Sequence, residues 1–145
     1  MTDAPSSPFG PLAALLGIRG VAIERDRCSV ALTVRPEHLN PHGVLHGGLP
    51  YILVDYAMGA ALTTRLEPGE RCTTLEIKIQ YLAAVRAGTV RADAAVVSRT
   101  RRVTVLEARV HGDDERLVAL ATGTFFIRGD ETAGATGADS SSAAR

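Results

Sequence analysis

Neither sign of charge is in excess. Lysine plus arginine and aspartate plus glutamate each number 16, so the formal charge is zero. A nucleic-acid or membrane-surface binder needs a basic surplus, so neither class is expected, although a small basic pocket for a phosphorylated ligand stays open. There are only two cysteines, Cys28 and Cys72, far apart and without metal-ligand spacing. They fit reduced thiols in a cytoplasmic protein. No apolar run reaches the ~18 residues of a membrane span. Residues 1–10 carry Asp3, Pro5 and Pro8 and no basic segment of a signal peptide. There is no Gly-x-Ser-x-Gly elbow, phosphate-binding glycine loop or dinucleotide fingerprint, and no internal repeat.

What is present is enough for one folded domain. The chain has 145 residues, 46% apolar and 22% charged, which is ordinary for a globular protein. Residues 129–145 are rich in Gly, Ala, Ser and Thr and hold no large apolar side chain. Such a segment buries too little to offset its ordering entropy and is expected to be a disordered tail. Residues 1–8 read as a similar flexible start, leaving a domain over 9–128.

Within that domain, 9–16 predicts a short helix stopped by Gly17, and 21–24 and 28–34 predict two strands around a polar turn. Pro36, Asn40, Pro41 and Gly43 mark a loop. A long helix is expected over 49–65, with Pro50 in its first turn and Pro68 and Gly69 beyond its end. The pattern then switches to period two: Leu75, Ile77, Ile79 and Tyr81 on one face, Glu76, Lys78 and Gln80 on the other. Three more β-rich segments follow, at 89–99, 102–111 and 116–128. The order implies an α+β domain, one helix against an antiparallel meander.

The long helix is apolar nearly all round, so it should be buried. One sheet covers only one side of it, so the sheet is expected to curl around the helix and a second chain to cover the rest. Within this helix stands one acid, Asp55. A carboxylate there loses hydration and is costly unless something uses it, and Gly59, one turn on, leaves room beside it. Ahead of the helix, Gly47 and Gly48 offer backbone N–H groups at the positive end of the helix dipole, suited to a developing oxyanion. Gly48 and Asp55 are seven residues apart, roughly 10 Å along a helix axis. One chain does not easily bring both to a single carbonyl, whereas two antiparallel helices of a two-fold dimer do. His38, His42 and His46 recur every four residues, but Pro36, Asn40, Pro41 and Gly43 argue against a continuous helix here, so no metal site is expected.

The run Asn40-x-x-Gly43-x-x-His46-Gly47-Gly48, with Asp55 seven residues later, resembles the signature of hotdog-fold acyl-CoA thioesterases, in the phenylacetate-degradation (PaaI-like) branch. "TLEIKIQYL" and "LVALATGTFFI" are similar to further strands of that family. The resemblance implies a hotdog fold, an antiparallel β-sheet wrapped around one long central helix, and a homodimer, often paired into a homotetramer, that hydrolyses acyl-CoA without a cofactor. It implies Asp55 as general base or nucleophile, Gly47 as backbone donor to the thioester oxygen, and His46 and Asn40 as orienting residues. Thr74 would position the attacking water, with Thr73 next to it as the alternative. Gly48, Tyr51 and Met58, with Leu62, are candidates to face the substrate. Arg101 and Arg102, beside Arg99, are candidates for the CoA phosphates, the other reading being a solvated turn. Ala83-Ala84 and Thr100 depart from the family's usual proline and glycine. The rivals are a non-catalytic acyl-CoA-binding protein and an enoyl-thioester hydratase on the same fold, and a structural dimerisation domain, which gives no reason for an acid in the helix.

Overall fold

A computed structural model describes residues 7–129. The flexible start expected over 1–8 and the tail expected over 129–145 lie outside these residues, apart from Ser7, Pro8 and Gly129. Helix α1 spans Pro11–Leu16 and ends at Gly17, whose φ of 75° is the left-handed turn that favours glycine. Strands β1 (Ile18–Glu24) and β2 (Arg27–Thr33) form a hairpin, and a 3-10 turn at Pro36–His38 follows. Helix α2 spans Gly48–Thr63. Strands β3 (Arg71–Tyr81), β4 (Thr89–Arg99), β5 (Val103–His111) and β6 (Leu117–Arg128) complete the chain.

All six strands join one antiparallel sheet in the order β1-β2-β4-β5-β6-β3. This is the hotdog arrangement that the resemblance implies. It is not the simple meander expected of the last four strands. Only β4, β5 and β6 run as neighbours; β3 pairs with β6 and leaves β4 beside β2. The segment 82–88 makes the crossing. The Leu45 N–H donates to the Val85 carbonyl at 2.7 Å and the Val34 N–H to the Gly88 carbonyl at 2.8 Å, which delivers the chain to the end of β2. Three strand spacings are about 14 Å, within reach of a stretched segment of that length.

The sheet curls around α2 with a four-residue rhythm. Leu49, Leu53, Val54, Ala57, Met58, Ala61 and Leu62 are buried against it, packed with Val30, Leu32, Val90, Leu106, Val110 and Phe125. Gly123 of β6 lets the helix approach: a Cβ there would lie 2.6 Å from the Met58 sulfur. The other helix face carries Ile52, Asp55, Tyr56, Gly59 and Ala60, all only half-buried, and exposed Tyr51. The expectation of a helix that its own sheet covers on one side holds for these residues. Among the described residues no helix is long and apolar enough to cross a membrane.

The outer face of the sheet carries a polar cluster. Ser29 Oγ donates to Asp93 Oδ1 at 2.6 Å, Arg91 Nε donates to Asp93 Oδ2 at 3.0 Å, and His111 Nδ1 stands 3.5 Å from the same carboxylate. Burial pushes the Asp93 carboxyl up, but the Ser29 hydroxyl and Arg91 guanidinium outweigh it and hold the group below the usual carboxylate range. A lowered folded pKa gives stability that is present above the unfolded value, about 3.9, and lost as pH falls through the folded one. Asp93→Asn should therefore lower the urea midpoint at neutral pH. The gap from wild type should close as pH drops below about 4. A gap that persists unchanged at pH 2 to 3 would show that the charge does not contribute.

Candidate active site

Asp55 lies near the middle of α2 on its half-buried face, where a hydroxyl from β3 reaches it. Thr74 Oγ1 donates to Asp55 Oδ1 at 2.8 Å. A bulge in β3 makes this contact possible. Thr74 pairs with Phe125 and Glu76 with Thr124, which leaves Leu75 as the extra residue. Before the bulge Cys72 and Thr74 face the helix; after it Ile77 and Ile79 do. Period two counted back from Ile77 would turn Thr73 inward. The bulge reverses that parity, so Thr74 meets Asp55, and Thr73 and Leu75 are exposed.

Asp55 opens on a cleft of about 510 Å³, lined by Phe9, Tyr56, Gly59, Thr63, Cys72 and Phe125 among others. Phe9 and Tyr56 meet edge to face with centroids 5.8 Å apart. Gly59 keeps the space beside the carboxylate open: a Cβ there would come no nearer than 4.0 Å to Phe125. Burial pushes the Cys72 thiol up and the Asp55 charge adds to that. The thiol therefore stays protonated at neutral pH and is no rival nucleophile.

The glycine end of α2 is built separately. Asn40 Oδ1 accepts the His42 and Val44 N–H groups at 2.9 and 3.3 Å and shapes the loop that leads to the helix. His46 Nδ1 accepts the Gly48 N–H at 2.9 Å. Among the described residues no acceptor within the chain is found for the Gly47 N–H. Gly47 itself is helical, with φ −56° and ψ −23°. One chain thus offers a free backbone donor at one end of α2 and a carboxylate held by a hydroxyl about two turns along it.

A largely apolar cleft with one acid, on a curled sheet around one helix, is compatible with several chemistries. The family model described as the thioesterase superfamily matches residues 42–119, which include the glycine pair, Asp55 and Thr74. The chain belongs to the thioesterase superfamily. With relatives that are thioesterases and CoA-thioester hydrolases, it is a thioester hydrolase. Among curated proteins, this thioesterase is similar to a 1,4-dihydroxy-2-naphthoyl-CoA hydrolase of Listeria monocytogenes, 29% identical over 81% of this chain and 95% of that one. Among solved structures it resembles a variant of the phenylacetic acid degradation protein PaaI from Thermus thermophilus. That match has 34% identity, a TM-score of 0.74, and covers 80% and 97% of the two chains. It also resembles a thioesterase of Haemophilus influenzae, with 26% identity, a TM-score of 0.78, and coverage of 81% and 82%.

The structure of this thioesterase separates the remaining candidates. Met58 and Leu62 do not face the cleft; both are fully buried in the core, because they fall on the stripe of α2 that packs on the sheet. Tyr51 is exposed and lies outside the cleft lining. Gly48 has its N–H engaged by His46. Arg101 and Arg102 are exposed in the turn between β4 and β5. Arg99 is not part of a free basic cluster, since its Nη2 is tied to Glu70 at 2.9 Å. His38 is buried, with Nδ1 accepting the Arg35 N–H at 3.0 Å. Sequence reasoning passed over Phe9, Tyr56, Cys72 and Phe125 as cleft walls. Cys72 was accessible, two residues before Thr74 and thus on the same strand face.

Proposed function

We propose that this thioesterase hydrolyses an aryl- or medium-chain acyl-CoA to the free acid and CoA at sites shared by two protomers. The Asp55–Thr74 pair at the mouth of the cleft carries this reading. The thioester carbonyl sits at the Gly47 N–H of one protomer. Asp55 of the other takes a proton from water, and the hydroxide adds to the carbonyl carbon. The Gly47 N–H stabilises the oxyanion that forms; the C–S bond then breaks and the CoA thiolate leaves and is protonated. Direct attack by Asp55 would instead pass through an acyl anhydride that water opens. Neither route calls for a metal or cofactor.

Two features support the dimer. β3 is an edge strand, so one side of its backbone is open to pairing with a second copy. The half-buried face of α2 around Ile52 and Tyr56 also lacks a cover from its own sheet. Pairing of dimers into a tetramer, a cytoplasmic location, and CoA phosphates at Arg101 and Arg102 belong to the same proposal. Its test is the release of thiol from a panel of aryl- and alkyl-CoA thioesters. Efficient turnover of at least one is expected, with kcat/KM on the order of 10⁴ M⁻¹s⁻¹ or more. No turnover across the panel would remove CoA thioesters as substrates.

A further inference from the structure

The two glycines at the start of α2 are not explained by their backbone. Gly47 has φ −56°, a value open to any residue. A side chain there would pack directly against Tyr81, the last residue of β3. A Cβ on Gly47 would lie 3.4 Å from the Tyr81 Cζ and 3.5 Å from its Cε1 and Oη. On Gly48, a Cβ would lie 3.1 Å from His46 Nδ1. The same two side chains bond the peptide between the glycines from both ends. Tyr81 Oη donates to the Gly47 carbonyl at 2.6 Å, and the Gly48 N–H donates to His46 Nδ1 at 2.9 Å. Burial pushes the Tyr81 phenol above its usual range, and Tyr51 adds to that, so the hydroxyl keeps the proton it donates. Tyr81 is nonetheless 52% exposed, and its hydroxyl reaches back 34 residues to a backbone oxygen.

A peptide between two glycines meets no Cβ barrier to turning over, so only the first intrahelical bond to the Gly47 carbonyl and the two side chains hold it. Helical N–H groups at this end point out toward the ligand side. A flipped 47–48 peptide would therefore present a carbonyl oxygen where the oxyanion forms, beside the free Gly47 N–H. We propose that Tyr81 is a positioning residue for thioester hydrolysis: with His46 it clamps the Gly47–Gly48 peptide and keeps the helix entrance donating. His46 gains a second consequence. Because its Nδ1 accepts, the neutral ring carries its proton on Nε2, which leaves a donor on an exposed side chain. The clamp also ties the oxyanion donor to the edge strand β3. This inference rests on the reading of Gly47 as that donor.

Tyr81→Phe tests it, since the ring stays against Gly47 and only the hydroxyl is lost. Against the best substrate of the CoA panel, kcat should fall about tenfold, less than the loss of a donor itself, with KM within about twofold. The Gly48 amide hydrogen should exchange faster in the variant than in wild type. An unchanged kcat in an active enzyme, or a loss confined to KM, would overturn the proposal while leaving the thioesterase reading intact. If wild type turns over no CoA thioester, that reading fails instead. The exchange measurement then still decides the clamp: faster Gly48 exchange supports it and equal exchange removes it.

Discussion

Asp55→Asn should reduce thioester hydrolysis by about 100- to 10,000-fold, the range over which a positioned acid–base group contributes. The substitution isolates the chemistry. Asparagine keeps the shape of the side chain, and its carbonyl oxygen can still accept the Thr74 hydroxyl that now bonds Asp55 Oδ1 at 2.8 Å. What disappears is the second carboxylate oxygen, which either takes a proton from water or attacks the thioester. An amide does neither. KM should change little, because the substitution leaves unaltered the cleft walls proposed to hold the acyl group, Phe9, Tyr56 and Phe125 among them. The fold should gain rather than lose. Asp55 is a half-buried carboxylate on an otherwise apolar helix, and no cation is paired with it among the described residues. Its neutral replacement should melt no lower than wild type, as expected where function holds a destabilising group in place. Kinetics of thiol release and a thermal melt check both halves. Near-full activity in the variant would take Asp55 out of the mechanism.

The acid was legible in the sequence for the same reason that it should be destabilising: it interrupts a helix whose neighbours are all apolar. The strands were legible too, because period two survives wherever one face is buried, and 89–99 was bounded as the structure has it. Strand order was not, since nothing local in 82–88 states that the chain crosses to β2 instead of turning back on β3. The Thr73–Thr74 ambiguity has a sharper cause. Alternation read from Leu75, Ile77 and Ile79 puts Thr73 inside, and only a bulge at Leu75 puts Thr74 there. A bulge is an irregularity of pairing with β6, so it is invisible in β3 alone. Met58 was misplaced because a helix that is apolar all round does not say which stripe meets the sheet; the four-residue rhythm of burial decides it. The role drawn for Tyr81 was hidden by distance in the chain. Its face was assigned by alternation, but its partner is a backbone carbonyl at the other end of α2.

Whether two chains build each site can be decided by mixing two dead enzymes. Gly47→Pro removes the proposed oxyanion donor. Its φ of −56° already suits the proline ring, and no intrachain hydrogen bond of its N–H is given up among the described residues. The new ring must ease Tyr81 aside by a few tenths of an ångström, since a Cβ there meets the phenol at 3.4 Å. As a homodimer it should be folded and about 100- to 1,000-fold slower than wild type. The Asp55→Asn homodimer should be at least as impaired. In a heterodimer of the two, the proline-bearing chain supplies an intact Asp55 and the asparagine-bearing chain an intact Gly47. One of the two sites is then whole and the other doubly damaged. Random pairing of equal amounts makes half of the dimers mixed, so refolding the variants together should restore about a quarter of wild-type activity. Were each site built within one chain, every chain in the mixture would carry a broken site, and activity would stay at the level of the parents. The helix geometry favours restoration, because roughly 10 Å of α2 separates the glycine pair from Asp55 within one protomer. Across that separation one chain does not easily bring both groups to a single carbonyl.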